Sequence, residues 1–237
     1  MNIGIIGDGK MGRAVRALAE ERGHRVVGML GLENVAGRGI RDGGLAGADV
    51  AVEFTEPRAA PDNVLACVDV GLPVVVGTTG WYERLDEVHD AVRRAAGRGG
   101  GAAVLWAPNF SLGVALFTEL VARAGELFAD AGYFDVHLIE THHAAKQDAP
   151  SGTAAALAKA FAGGGRAIAV TSVRTGHVPG THELVFDAPF EQVRLVHVAR
   201  DRRVFADGAL RAAEWLHGRH GVFTMRDVLG LATARNA

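Results

Sequence analysis

The 237-residue sequence predicts an α/β protein, a doubly wound parallel sheet followed by a second α+β domain with a mixed or antiparallel sheet. Three observations predict it. Apolar, β-branched runs alternate with helical patterns through the first half, as a parallel sheet with crossover helices requires. A Gly-x-Gly-x-x-Gly turn stands directly after the first run. Beyond Asn109 the pattern changes to a long apolar helix and then to short strand-like runs in close succession.

The elements follow in order. "NIGIIG" is the first strand, and Met11, Ala14, Val15, Leu18 and Ala19 then fall at helical spacing until Gly23, a C-cap position. "HRVVGML" is the second strand, "ADVAVEFT" the third, "LPVVVG" the fourth and "AAVLWA" the fifth, with helices near 58–70 and 82–96. Runs this apolar suit strands covered on both faces. The segment from Gly31 to Gly47 is rich in glycine and lacks a clear period, so it is expected to be a loop or a shortened connection with no helix. Leu112 to Phe128 reads as a helix and "YFDVHLIETHH" as a strand. "SGTAAALAKAF" is a second helix, and "AIAVTSVRTG", "THELVFDAP" and "EQVRLVHVAR" are three further strands. "ADGALRAAEWLHGRHGVFTMRDVLGL" returns to helix and is expected to pack back on the first domain. The boundaries predicted are 1–109 with 210–237 for the first domain and 110–209 for the second. The glycine tracts at 97–101 and 162–166 are expected to be surface loops.

Composition narrows the function classes. Hydrophobic residues make up 49% and charged residues 22%, ordinary for a soluble globular chain. A net charge of −2 creates no field that would recruit nucleic acid or an anionic membrane, so neither is an expected partner. The single cysteine, Cys67, excludes an internal disulfide framework; it shares a helical face with Val64 and Val68 and reads as a core thiol. The opening run carries no basic leader and no later stretch has the apolar length of a membrane span, so a cytoplasmic location is expected.

The glycine turn carries the first chemistry. In "GIIGDGKMG", Gly7 permits a tight turn, Gly9 lets backbone approach a pyrophosphate and Gly12 lets helix and strand close together. The helix behind supplies N–H donors and positive potential, so a dinucleotide is the expected ligand and the first domain is Rossmann-like. Asp8, Lys10, Met11 and Arg13 line the same turn. The acid that would hold the adenosine ribose is displaced: Glu33 is the nearest carboxylate, and Arg38 and Arg41 close by would tolerate a 2′-phosphate. NADH and NADPH both remain open. "GTTG" (Gly77, Thr78, Thr79) and "APNF" (Ala107, Pro108, Asn109, Phe110) follow two more strands, at the edge where open α/β sheets bind ligands.

A second constellation lies in "THHAAKQDAPSGTAAALAKAF", which begins at Thr141. In an extended strand His142 shares a face with Glu140 and Leu138, while His143 points the other way. His142, His143, His177 and His182 therefore make a poor zinc site, and no metal is expected. Ser151 or Thr153 is placed to cap the following helix. The N–H groups of Gly152 and Thr153, with Lys146 nearby, would form an anion site. Lysine and a helix N-terminus for charge, with histidine for a proton, suit a small carboxylate substrate.

At these residues the sequence resembles the dihydrodipicolinate reductase family. "GDGKMG", "VEFTEP", "VVVGTTGW", "APNFSLGV", "IETHHAAKQDAPSGTA", "VRTGHVPGTHELVF" and "HVARDRRVFADGAL" carry the likeness across nearly the whole chain, and "HHAAKQDAPSGTA" is the most specific. The resemblance implies that His142 is a general acid and Lys146 a second catalytic residue. His143, Ser151, Gly152, Thr153 and Arg202 would bind substrate carboxylates. Gly7 to Gly12, Gly77 to Thr79 and Ala107 to Phe110 would contact NADH or NADPH, with Glu33 the candidate from the residues themselves. It further implies reduction of the cyclic product of pyruvate and aspartate semialdehyde on the route to diaminopimelate and lysine, by a homotetramer built through the second domain's strands between Ala167 and Val198. Two features depart from the family: the chain is short between its second and third strands, and the cofactor-selecting acid is displaced. A nicotinamide dehydrogenase for another amino or keto acid, and a non-catalytic dinucleotide sensor, are the rival readings.

Overall fold

The computed structural model describes residues 1–97, 101–162, 165 and 167–231. The glycine tracts predicted as surface loops fall largely outside the described residues, as does the end of the predicted first domain beyond Leu231. The chain divides into two compact units: Met1–Phe110 with the chain from Phe205 onward, and Ser111–Val204.

In the first unit the elements are β1 (Asn2–Ile6), α1 (Lys10–Glu21), β2 (Arg25–Leu30), a 3-10 turn at Val35–Gly37, α2 (Arg38–Arg41), β3 (Val50–Glu53), α3 (Ala60–Asp69), β4 (Val74–Val76), α4 (Leu85–Gly97) and β5 (Ala103–Trp106). In the second they are α5 (Leu112–Leu127), β6 (Asp135–His142), α6 (Gly152–Ala162), β7 (Ala169–Arg174), β8 (Thr181–Ala188) and β9 (Glu191–Val198). The chain returns to the first through α7 (Arg203–Leu216), β10 (Gly221–Phe223) and α8 (Met225–Val228).

Two expectations need correction. The segment Gly31–Gly47 is not wholly a loop: the 3-10 turn and α2 form there, and Ile40 and Leu45 anchor them in the core. The C-terminal stretch is not all helix. Gly221–Phe223 forms a sixth parallel strand against Ala103–Leu105 of β5, where pairing prevails over a local pattern too short to read.

The first sheet is parallel throughout, in the order β10-β5-β4-β3-β1-β2. Alternate residues serve opposite faces. Ile6, Ala51, Val74, Val76 and Val104 join Val64, Cys67, Val88 and Val92 of α3 and α4 in one core, and Ile3, Ile5, Val52, Val75 and Leu105 are equally buried on the other side. Burial on both faces explains why these strands are uniformly apolar. Cys67 lies in that core as expected, its thiol pushed up by burial and by the nearby Glu53 carboxylate, a setting that makes it inert. Because β2 and β3 flank β1 on opposite sides, the topological switch falls at β1, where an open α/β sheet binds its ligand.

The second unit carries the sheet β7-β6-β8-β9, with β6 and β7 parallel and the other pairs antiparallel. Val136, Leu138, Leu184 and Phe186 pack one face onto Phe117, Val121 and Ala124 of α5 and Leu157 and Phe161 of α6. Further along the same face the inward positions become polar: Glu140 and His142 on β6, His182 on β8 and His197 on β9. The site chemistry therefore sits at one end of an otherwise apolar sheet face.

Candidate functional sites

At the switch point Gly7 and Gly12 make the tight turn and the close approach that the spacing predicts. A Cβ on Gly7 would run into the Phe54 carbonyl oxygen, and one on Gly12 into the Gly7 carbonyl. Gly7 also takes φ +105°, in the left-handed region. A Cβ on Gly9 would meet nothing within 4 Å, so the backbone there is bare toward solvent. Gly9 is the N-cap of α1 and provides no side-chain cap, which leaves the first-turn N–H donors for a phosphate. This cradle fits a dinucleotide. Arg13 Nε donates to the Asp8 carbonyl at 2.8 Å and braces the turn, while Asp8 and Lys10 lie exposed and Met11 half-buried.

Glu33 is exposed and accepts from the Gly31 N–H at 2.6 Å, a bond that holds its carboxyl below the usual range. A Cβ on Gly31 would lie 2.9 Å from Glu33 Oε2 and 3.1 Å from Asp8 Oδ2. Two carboxylates thus flank the end of β2. Arg41 is directed elsewhere, bonding Asp69 at 2.8 Å and the Ala36 carbonyl, and Arg38 pairs with Asp42.

The other predicted cofactor residues meet at the same edge, with their side chains differently placed. Thr78 is buried and its Oγ1 accepts from the Thr55 N–H at 2.7 Å, making it a brace; Thr79 is exposed. Gly77 leaves room for the Phe54 ring. Ala107 and Phe110 are core residues, Phe110 edge-on to Phe54 at 6.1 Å, whereas Pro108 is exposed and Asn109 half-buried. For Thr78, Ala107 and Phe110 only the backbone is left to face a ligand. Beneath them lies a network that sequence reading missed. Glu53, fully buried, takes the Thr55 hydroxyl and N–H and the Asn63 amide, and Asn63 in turn accepts from Asn34 at 2.9 Å. Burial pushes the Glu53 carboxyl up, against the hydrogen bonds that oppose it. A lone acid ending the apolar run "ADVAVEFT" was its signal.

In the second unit His142 is buried at the end of β6, and its Nδ1 is hydrogen-bonded to Glu140 Oε2. Glu140 Oε1 accepts from Arg174 Nη2 at 2.6 Å and from the Ser151 N–H at 3.3 Å. Burial works to raise the Glu140 carboxyl, but bonds from Arg174, Ser172 and His142 outweigh it and bring it to about 2. Desolvation lowers His142, with Glu140 opposing and the Lys146 and Arg174 charges assisting. His182 is pushed down to about 4, chiefly by burial and then by its histidine neighbours. Ligand atoms of Glu140, His142 and His182 lie within 4.8 Å of one another. The Glu140 oxygens are already engaged by Arg174 and His142, so the cluster is held by hydrogen bonds.

Ser151 is the cap of α6, one of the two candidates: its hydroxyl is buried and accepts from the Ala154 N–H at 3.1 Å. His143 is half-buried just past the end of β6, and Arg202 lies exposed ahead of α7. His177 is exposed in the turn after β7. Lys146 Nζ binds Asp148 Oδ1 at 2.7 Å, and the Gly152 N–H also reaches that carboxylate. Lys146 first, and that N–H in lesser measure, hold the Asp148 carboxyl down. Lys146 and the start of α6 thus converge on a carboxylate from this chain.

Two family models match: "Dihydrodipicolinate reductase, N-terminus" over residues 1–110 and "Dihydrodipicolinate reductase, C-terminus" over 113–229. The chain belongs to the dihydrodipicolinate reductase family. It is 32% identical to the 4-hydroxy-tetrahydrodipicolinate reductase of Christiangramia forsetii, over 97% of this chain and 98% of that one. It is 37% identical to the enzyme of the same name from Rhodopseudomonas palustris, over 94% and 95%. Among solved structures, a dipicolinate-bound dihydrodipicolinate reductase from Paenisporosarcina sp. TG-14 superposes with a TM-score of 0.75 at 21% identity, covering 94% of this chain and 97% of that one, a likeness of fold. The protein is thus an oxidoreductase of the pyridine-nucleotide class. No helix among the described residues is long and apolar enough to cross a membrane.

Proposed function

We propose that this chain is a 4-hydroxy-tetrahydrodipicolinate reductase in which His142 donates the proton and Lys146 with the α6 N-terminus holds a substrate carboxylate. The observation that carries the reading is the Asp148 carboxylate lodged between Lys146 Nζ and the Gly152 N–H, an internal occupant of the kind of site a cyclic dicarboxylate needs. Bound nicotinamide supplies the hydride. The chain's residues do the rest: Gly152, Thr153, His143 and Arg202 hold carboxylates, and His142 protonates the carbon adjacent to the one reduced. Desolvation keeps His142 neutral at rest, and the arrival of two negative charges favours its protonation, so the acid is charged when it is needed. Asp8 and Glu33 at the end of β2 suit a ribose 2′-hydroxyl and repel a 2′-phosphate, which favours NADH. The outward face of the second sheet, with Val173, Val196 and Val198 exposed, supports a homotetramer built through it. A buried free Cys67 suits the reducing cytoplasm.

The test follows coenzyme oxidation with substrate generated by a coupled synthase. His142→Ala and Lys146→Ala should each lower turnover by about a hundredfold or more while sparing coenzyme binding. NADH should exceed NADPH in kcat/KM by about tenfold, the effect of 1.4 kcal/mol. Unchanged turnover in His142→Ala would remove it from the proton-donor role. Tight coenzyme binding without turnover in the wild type would favour the sensor.

A further inference from the structure

We infer that Glu140, clamped by Arg174, is the positioning residue that fixes His142 in the tautomer with Nδ1 protonated and Nε2 presented for proton exchange. The inference rests on the proton-donor reading of His142 and assigns two residues outside the histidine-lysine motif to the same chemistry.

The argument starts from what each group can do. An ionised carboxylate only accepts hydrogen bonds, so a neutral imidazole facing it must place its hydrogen on the facing nitrogen. That nitrogen is Nδ1, against Glu140 Oε2. Glu140 is fully buried and could not stay ionised without further donors. Arg174 Nη2 at 2.6 Å and the Ser151 N–H at 3.3 Å provide them on the other oxygen. Arg174 Nη2 also donates to the Asp148 carbonyl at 2.6 Å, so one guanidinium ties β7 to β6 and to the segment ahead of α6. The carboxylate is thereby fixed from both sides, and the ring is oriented by a group that need not touch the substrate, as in a hydrolase triad.

The free side of the ring is kept clear by a glycine. Gly180, at φ +156°, would place a Cβ 3.1 Å from His142 Nε2. Any side chain there would crowd the nitrogen that carries the transferable proton. The charged and titratable groups facing His142 are Glu140 on its own strand, Arg174 on β7, His182 on β8 with a ring centroid 5.3 Å away, and Lys146 in the following turn; His197 on β9 lies behind His182, their centroids 6.3 Å apart. Among these described residues Glu140 is the one anion, and it favours the imidazolium.

The decisive measurement is long-range 15N–1H NMR of the histidine-labelled wild type at pH 8, where His142 is neutral. It should show His142 with Nδ1 bearing hydrogen and Nε2 bare. Glu140→Gln, whose amide can donate as well as accept, should populate the other tautomer, lower kcat by about a hundredfold and leave coenzyme KM unchanged. Its activity should also fade at a lower pH than that of the wild type, since loss of the anion makes the imidazolium harder to form. A wild-type ring with hydrogen on Nε2, or a Glu140→Gln protein with the wild-type tautomer and kcat, would overturn the inference. Should Glu140→Gln fail to fold, the wild-type spectrum still decides it. Full turnover in His142→Ala alongside the expected spectrum would instead sink the proton-donor reading and leave the ring geometry standing.

Discussion

Asp148 is exposed and lies two residues from Lys146, yet it takes the amine at 2.7 Å and draws on the N–H of Gly152. A substrate carboxylate seeking the same donors must displace it. Exposed ion pairs contribute little, so the competition is mild: the displaced partner costs at most about 1 kcal/mol. Asp148→Asn keeps the size of the side chain and removes the charge. We expect its KM for the dicarboxylate to fall, by no more than about fivefold, with kcat close to wild type. Steady-state kinetics at low ionic strength, where the pair is least screened, gives the clearest reading. A raised KM would mean that Asp148 positions Lys146 for the substrate.

At the scale of elements, α5 and α6 approach closely at Gly125, where an added Cβ would lie 2.5 Å from the Phe161 carbonyl oxygen. Backbone cannot yield as a flexible side chain would, so Gly125→Ala should force the helices apart and destabilise the protein by about 1–3 kcal/mol, measured by urea unfolding. Loss below that range would show that the pair slides without strain. Helices of this kind were legible in the sequence because α5 and α6 repeat their apolar residues at helical spacing over several turns. The long parallel strands were legible for the same reason, in their unbroken apolar runs. Gly221–Phe223 was not, since three residues carry no period and only pairing with β5 makes them a strand. In the site, the glycine turn, Lys146 and the α6 N-terminus could be found because each is local. Alternation along "DVHLIETHH" already put Glu140 beside His142. Arg174, 34 residues beyond Glu140, could not be joined to it by any local pattern, whereas Ser151 was legible as a candidate cap because capping is local.

For the molecule as a whole, gathering Glu140, His142, His182 and His197 on one sheet face makes stability depend on pH. His182 titrates near 4 in the fold and near 6.5 in an unfolded chain. At pH 7 it is neutral in both states. At pH 5 the unfolded chain binds the proton and the fold does not, so unfolding is favoured; the loss grows as pH falls from 6.5 toward 4 and then levels. For His182 alone the difference between pH 7 and pH 5 amounts to about 2 kcal/mol. Burial displaces His142 and His197 in the same direction and steepens the slope, and Glu140, held down to about 2, extends it below pH 4.5. Urea unfolding followed by far-ultraviolet circular dichroism at the two pH values should show that difference or more in the wild type and a smaller one in His182→Gln. An equal loss in the variant would move the origin of the slope away from His182, because a glutamine there has no proton to gain.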